Sequence, residues 1–267
     1  MKKHFKAIGF ILMYLTIYMI MQIMVSIPLA IYAVLTSNGN MNEVTNIVGK
    51  YIVISLLPAA IISFIVYWII IKLRKQSIQK ICRFNKVDIL SIVLAIFVTF
   101  SASSVVEGVM VYIEKFFPSY DETAKILGSS MNTVLGIIII TLLIPMFEEI
   151  LFRGLVMSEI EKNIRISLTV VIQGVLFGVY HLNLLQGLYA GILGILLGYL
   201  CISTNSIFTS MAGHITFNIC GGIVLPLLLA ETSQFAYVYI IVGAILTIIT
   251  VFIFQRHNKK LRMVMEQ

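Results

Sequence analysis

The stretch Gly136-Ile137-Ile138-Ile139-Ile140-Thr141-Leu142-Leu143-Ile144-Pro145-Met146-Phe147-Glu148-Glu149-Ile150-Leu151-Phe152-Arg153 decides the fold class. It lies in an apolar run at 132–157, long enough to cross the hydrocarbon layer, which takes about 20 helical residues. Working outward, comparable runs occur at 8–35, 51–71, 88–113, 166–182, 184–202, 206–227 and 235–255. The 267-residue chain is 60% hydrophobic and only 12% charged, too little charge to cover a soluble domain of this size. In lipid every backbone group needs an internal partner, and runs of this length satisfy that as helices. The expectation is an all-α, polytopic membrane helix bundle of about eight transmembrane helices, forming a single integral membrane domain over 1–267. Its first three helices occupy 1–130.

Net charge is +7, but the basic residues are not gathered into a nucleic-acid-binding patch. Lys2, Lys3 and Lys6, then Lys72, Arg74, Lys75, Lys80, Arg83 and Lys86, then Lys162 and Arg165, then Arg256, Lys259, Lys260 and Arg262 fall on alternate connections. Only Lys50, Lys115 and Lys125 fall on the opposite set. The positive-inside rule then places both termini in the cytoplasm, with 226–267 as the last helix and a basic cytoplasmic tail. The first apolar run is too long for a cleaved signal segment and reads as a retained helix. Cys82, Cys201 and Cys220 lack metal-ligand spacing and suit packing. Gly187-x-x-x-Gly191 and Gly194-x-x-x-Gly198 allow close helix approach and speak for packing, not chemistry.

Charged residues within spans cost a few kcal/mol each at the helix centre, so each needs a reason. Glu149 and Arg153, at i and i+4, share a helix face and can pair. Glu148 is turned about 100° from that face and is the carboxylate available for chemistry. The bland alternative for Glu149 and Arg153 is an ion pair that only braces the helix. Pro145 lacks an amide hydrogen and should disturb the helix just before the carboxylates.

Two further spans carry Phe177-x-x-x-His181 and His214-x-x-x-Asn218. A lone membrane histidine is more often a packing residue than a functional one, but two accompanied by glutamates are not lone. Glu148 and His181 flank a polar turn, and the residues halfway between them, Ile164 and Arg165, fall within it. An antiparallel hairpin would therefore set Glu148 and His181 at similar depth. His214 lies about nine residues beyond Asn205, near mid-membrane at about 1.5 Å per residue. The three polar groups can thus be level.

In this order, Glu148-Glu149-x-x-x-Arg153, Phe177-x-x-x-His181 and His214-x-x-x-Asn218 resemble the CAAX protease and bacteriocin-processing (Abi) family of intramembrane proteases. The eukaryotic Ras-converting endopeptidase belongs to this family. The resemblance covers about 130–225, which would be the catalytic core. It implies Glu148 as the general base for a water molecule, with His181 positioning or protonating. It implies His214 and Asn218 as the oxyanion-stabilising pair, and Glu149 and Arg153 as support.

Elementary chemistry agrees, since peptide hydrolysis needs a base, a water and donors aimed at the developing oxyanion. No cofactor is expected. Zinc held by Glu148, His181 and His214 is the alternative, although the His-Glu-x-x-His spacing is absent and Asn218 suits an oxyanion better than a metal. The expected function is an intramembrane endopeptidase acting on a peptide or membrane-protein substrate, in peptide maturation or bacteriocin self-immunity. Short loops and the lack of organelle signals suggest a bacterial plasma membrane. The competing reading is a non-enzymatic immunity or scaffold protein that binds a toxin or partner enzyme. A transporter receives no support, because internal repeats are missing.

Overall fold

The computed structural model describes residues 2–265; Met1, Glu266 and Gln267 of the expected domain lie outside the described residues, as do the side chains of Lys2, Lys3, Arg262, Val264 and Met265. In chain order the main helices are α1 (Lys2–Thr36), α2 (Met41–Leu73), α3 (Ile89–Ile113), α4 (Pro118–Ser130) and α5 (Val134–Glu161). There follow α6 (Ile166–Tyr180), α7 (Leu184–Thr204), α8 (207–232) and α9 (Ala236–Met265). The chain is an all-α, multi-pass membrane protein. Each expected apolar run lies in helix, but length and apolarity alone support six crossings. The fifth run forms only the 15-residue α6, and the last two form one long stretch broken at the 3₁₀ turn Ser233–Phe235. The segment 114–131, between the third and fourth apolar runs, is largely α4.

Polar residues at the helix starts take up backbone donors that the first turn leaves open. Asn40 accepts from the Asn42 amide, Asp88 from Ser91, Thr133 from Gly136, Asn183 from Gln186 and Ser206 from Phe208. Asn205, between α7 and α8, takes the left-handed conformation (φ 51°) that asparagine tolerates well.

The chain divides into two compact units. The first comprises 1–81 and 119–164, the second 82–118 and 165–267. In the first, Tyr14 and Tyr18 of α1, Tyr67 of α2 and Phe147 of α5 form an aromatic cluster. The Tyr67 hydroxyl donates to the Tyr14 carbonyl at 2.7 Å. Near the α2 terminus, Arg74 lies over the Phe10 ring at 3.6 Å and donates to the Tyr14 hydroxyl and to Glu159. Lys162 completes the pairing of buried Glu159 at 2.8 Å. One buried acid thereby ties α1, α2 and α5 together.

In the second unit, α3 packs against α8 and α9, and α6 packs against α7. Leu94, Val98, Leu197, Phe217 and Phe254 form its centre. The expected glycine packing is seen between α6 and α7. A Cβ at Gly178 would collide with the Gly187 carbonyl, and one at Gly194 would meet the Cα of Gly174 at 2.8 Å. These helices are backbone against backbone over that length.

At the basic end of this unit, Asp88 accepts from Ser91 and from His257 Nε2 at 2.8 Å, and Ser91 reaches Asn258. Burial pushes the Asp88 carboxyl up, but the hydrogen bonds from Ser91 and His257 outweigh it and hold it below the ordinary range. A depressed native value means the contribution is present above the unfolded aspartate value, about pH 4, and is lost as pH falls through the native one. About a third of the Asp88 side chain is exposed and solvent screens the pair, so we expect about 0.5–1 kcal/mol from it. Thermal melts of wild type and Asp88→Asn from pH 7 to pH 3 should start apart and converge at the acid end. Parallel curves would show that Asp88 does not carry this link.

Candidate active site

Glu148 and Glu149 close a short α-helical stretch, Ile144–Glu149, that lies between two π-helical stretches, Ile139–Leu143 and Ile150–Val156. The disturbance expected at Pro145 therefore takes the form of a wide turn just before it. Proline withholds the amide that would continue the α-helical ladder, and a π turn rewinds the chain around the gap. Such turns alter the angular spacing of side chains and are frequent at functional sites.

Within this helix the two carboxylates have different surroundings. Glu149 pairs with Arg153 at 2.8 Å, and both side chains are fully buried. Glu148 is half-buried and lies within electrostatic reach of the Tyr18 phenol. The Tyr18 ring packs on Phe147 with centroids 4.6 Å apart. Helix α1 thus supplies a neighbour of the candidate base. The sequence carries a faint signal for it: Tyr14, Tyr18 and Gln22 recur at i, i+4 and i+8 in an otherwise apolar run.

His181, His214 and Asn218 belong to the second unit. His181 caps the end of α6, and its Nδ1 lies 2.8 Å from the Phe177 carbonyl oxygen. A carbonyl can only accept, so Nδ1 carries the hydrogen, and Nε2 of the neutral ring keeps its lone pair. The ring of Phe177 stands nearly perpendicular to both imidazoles, with centroids 4.9 Å from His181 and 5.5 Å from His214. The structure therefore brings the two histidines together through one buried phenylalanine. Asn218 lies one turn beyond His214 on α8. Directly after His181, Leu182 has φ 54°, which is uncommon for leucine, and only three residues separate α6 from α7.

Glu107, a further acid, stands in the second half of the third apolar run, 88–113. A Cβ placed on Gly221 would lie 3.0 Å from its Oε1. Gly221 belongs to a third π-helical stretch, Cys220–Val224, immediately after Asn218. The only acid of the run 88–113 apart from the capping Asp88 was the available signal. No hydrogen bond to its carboxyl is found among the described residues. A carboxyl in that position is costly, so Glu107→Gln should stabilise the fold by about 1 kcal/mol, read as a higher melting temperature in detergent. A lower melting temperature would mean that Glu107 is a structural anchor.

Together these features define a multi-pass helical membrane protein with carboxylates, imidazoles and an amide inside its spans. Among the described residues, no group of three His, Cys, Asp or Glu side chains is placed to hold a metal ion. Residues 130–220, which contain all six candidate residues, match the family described as type II CAAX prenyl endopeptidase Rce1-like. The match covers about a third of the chain and supports a likeness to intramembrane proteases of the CAAX type in general. No curated protein and no solved structure matches the chain.

Proposed function

We propose that the chain is an intramembrane endopeptidase in which Glu148 activates a water molecule to hydrolyse a peptide bond. The observation that supports it most is the contrast in surroundings between adjacent carboxylates. Glu149 is buried and neutralised by Arg153, whereas Glu148 is half-buried between two π turns. Two acids in contrasting environments are how a site separates a bracing group from a reacting one.

In the reaction, Glu148 takes a proton from water as the hydroxide oxygen bonds to the scissile carbonyl carbon. The carbonyl electron pair moves to oxygen, where N–H donors of His214 and Asn218 stabilise the charge. Collapse of the intermediate breaks the C–N bond, and the proton passes to the leaving amine from Glu148. His181, with Nδ1 held by the Phe177 carbonyl, presents Nε2 to orient the water, or a proton when the ring is charged. The substrate is a peptide or membrane protein, and peptide maturation or bacteriocin self-immunity in a bacterial plasma membrane is the setting we favour.

In a second reading Glu148, His181 and His214 would hold zinc, which would supply activation of the water, although among the described residues they are not grouped to bind an ion. The Nε2 lone pair of His181 suits it, and Asn218 does not. Purified protein in liposomes, supplied with membrane-anchored peptides and followed by mass spectrometry, tests both. The expected result is two products whose masses sum to the substrate plus one water, with the rate unchanged after exhaustive chelation. Loss of activity that zinc restores would replace the water-and-base mechanism with the metal one. Stoichiometric binding of a peptide that is never cut would favour the immunity or scaffold role.

A further inference from the structure

The second unit holds a long apolar groove, about 1080 Å³ in volume, walled by α3, α6, α7 and α9. That is at the upper end of small-molecule sites, which span about 300–1,000 Å³. Along α7 its lining runs from Leu185 to Ser203, about 27 Å at 1.5 Å per residue, close to the thickness of the hydrocarbon core. The α6–α7 wall is preformed, because its glycines leave no slack between the two backbones.

The lining is not uniform. The hydroxyls of Ser167, Tyr199 and Ser203 lie toward one end. Arg165 opens α6 beside Ser167 at that end, and Arg256 follows the last lining residue of α9, Val251, by little more than a turn; both are exposed, and the Arg256 guanidinium rests over the neighbouring Phe252 ring at 4.3 Å, from which a headgroup would have to draw it. The hydrogen bonds from Asn85 to the Asn205 carbonyl and from His257 to Asp88 set the α7 terminus and the α9 tail at this same end of the unit. Elsewhere the walls are carbon. Thr247 turns its hydroxyl back on the Gly243 carbonyl, and Tyr189 stacks on Phe217.

The groove is an apolar body with hydroxyls at one end, and two exposed arginines stand near that end without lining it. We propose that this groove binds an anionic phospholipid, with an acyl chain along α7 and the phosphate at Arg165 and Arg256. The chain supplies apolar contact that water cannot, and the two guanidinium groups select the charged headgroup. This site is separate from the peptidase reading, since lipid retention requires no turnover.

The test uses the full-length protein in detergent, offered dioleoyl phosphatidylglycerol or dioleoyl phosphatidylcholine, with bound lipid read by native mass spectrometry. Wild type should retain phosphatidylglycerol about tenfold better, a difference of about 1.4 kcal/mol. Arg165→Gln combined with Arg256→Gln should remove the preference but not all binding. Ala244→Trp should lower retention of both lipids, with Ala102→Leu as a milder filling should the tryptophan variant fail to fold. Equal retention of the two lipids by wild type would overturn the proposal, as would a preference unchanged in the double arginine variant. Recovery of a peptide seated in the groove in place of lipid would also overturn it. Glu148→Gln should retain lipid as wild type does, whether or not peptidase activity is found.

Discussion

Glu148→Gln is expected to reduce peptide hydrolysis by about 10²–10⁴, the range a positioned general base contributes. The substitution keeps the volume and two hydrogen-bonding ends of the side chain but removes its ability to take a proton from water. Glu149 makes a fully buried ion pair with Arg153 whereas Glu148 is only half-buried, so the fold should depend less on the charge at 148 than on that at 149. The variant should therefore express, extract and melt like wild type while its kcat falls and its KM stays near the original. Glu148→Asp should be intermediate. It keeps the base but withdraws it by one methylene, and a misplacement of about 1 Å already costs about 10²-fold. Adding His214→Ala to Glu148→Gln should cost little more than the glutamine alone, since groups acting in one step are not additive. Undiminished cleavage by the glutamine variant at equal expression would remove Glu148 from the chemistry and with it the proposed mechanism.

The helices were legible because lipid leaves the backbone few choices, and an apolar run of sufficient length is already an answer. The pairing of Glu149 with Arg153 was legible for a related reason: at i and i+4 both share a face whether the helix winds as α or π. The glycine spacing in 184–202 announced a close helix approach, and α6 answers it with Gly174 and Gly178. What sequence did not show is what tertiary packing decides. The π turns on both sides of Glu148 depend on a missing amide at Pro145 and on the fit of neighbours, neither of which has a compositional signature. Tyr18 meets the Glu148 helix across more than a hundred residues, where a period within α1 hints at a polar face but not at its partner. Phe177 was visible only as a motif letter, yet it turns out to be the ring that spaces two imidazoles. The number of crossings is the other gap. Composition marks apolar segments, but it does not tell whether a 15-residue helix such as α6 reaches both surfaces.

Arg153→Leu should destabilise the protein by about 3–5 kcal/mol, the usual result of removing one partner from a buried ion pair. The guanidinium and the Glu149 carboxylate are both fully buried and 2.8 Å apart, so neither is offset by solvent when the other is removed. Glu149→Gln should be the milder single change, since the amide keeps the shape and a polar oxygen beside the guanidinium although it no longer neutralises it. The informative variant is the double one, Glu149→Met with Arg153→Leu. Replacing both charges by apolar side chains of similar size removes the desolvation penalty together with the attraction, which is often neutral or stabilising. The double variant should therefore recover most of the stability lost by Arg153→Leu alone, in thermal melts or controlled unfolding in detergent or bicelles. If the pair only braces the helix, the recovered protein should also cleave substrate within about tenfold of wild type, since Glu148 keeps its turn and its neighbours. If instead the pair's charge distribution tunes the base, stability will return and turnover will not. Stability that fails to return in the double variant would mean that the two charges hold partners besides each other, and bracing by a simple pair would have to be abandoned.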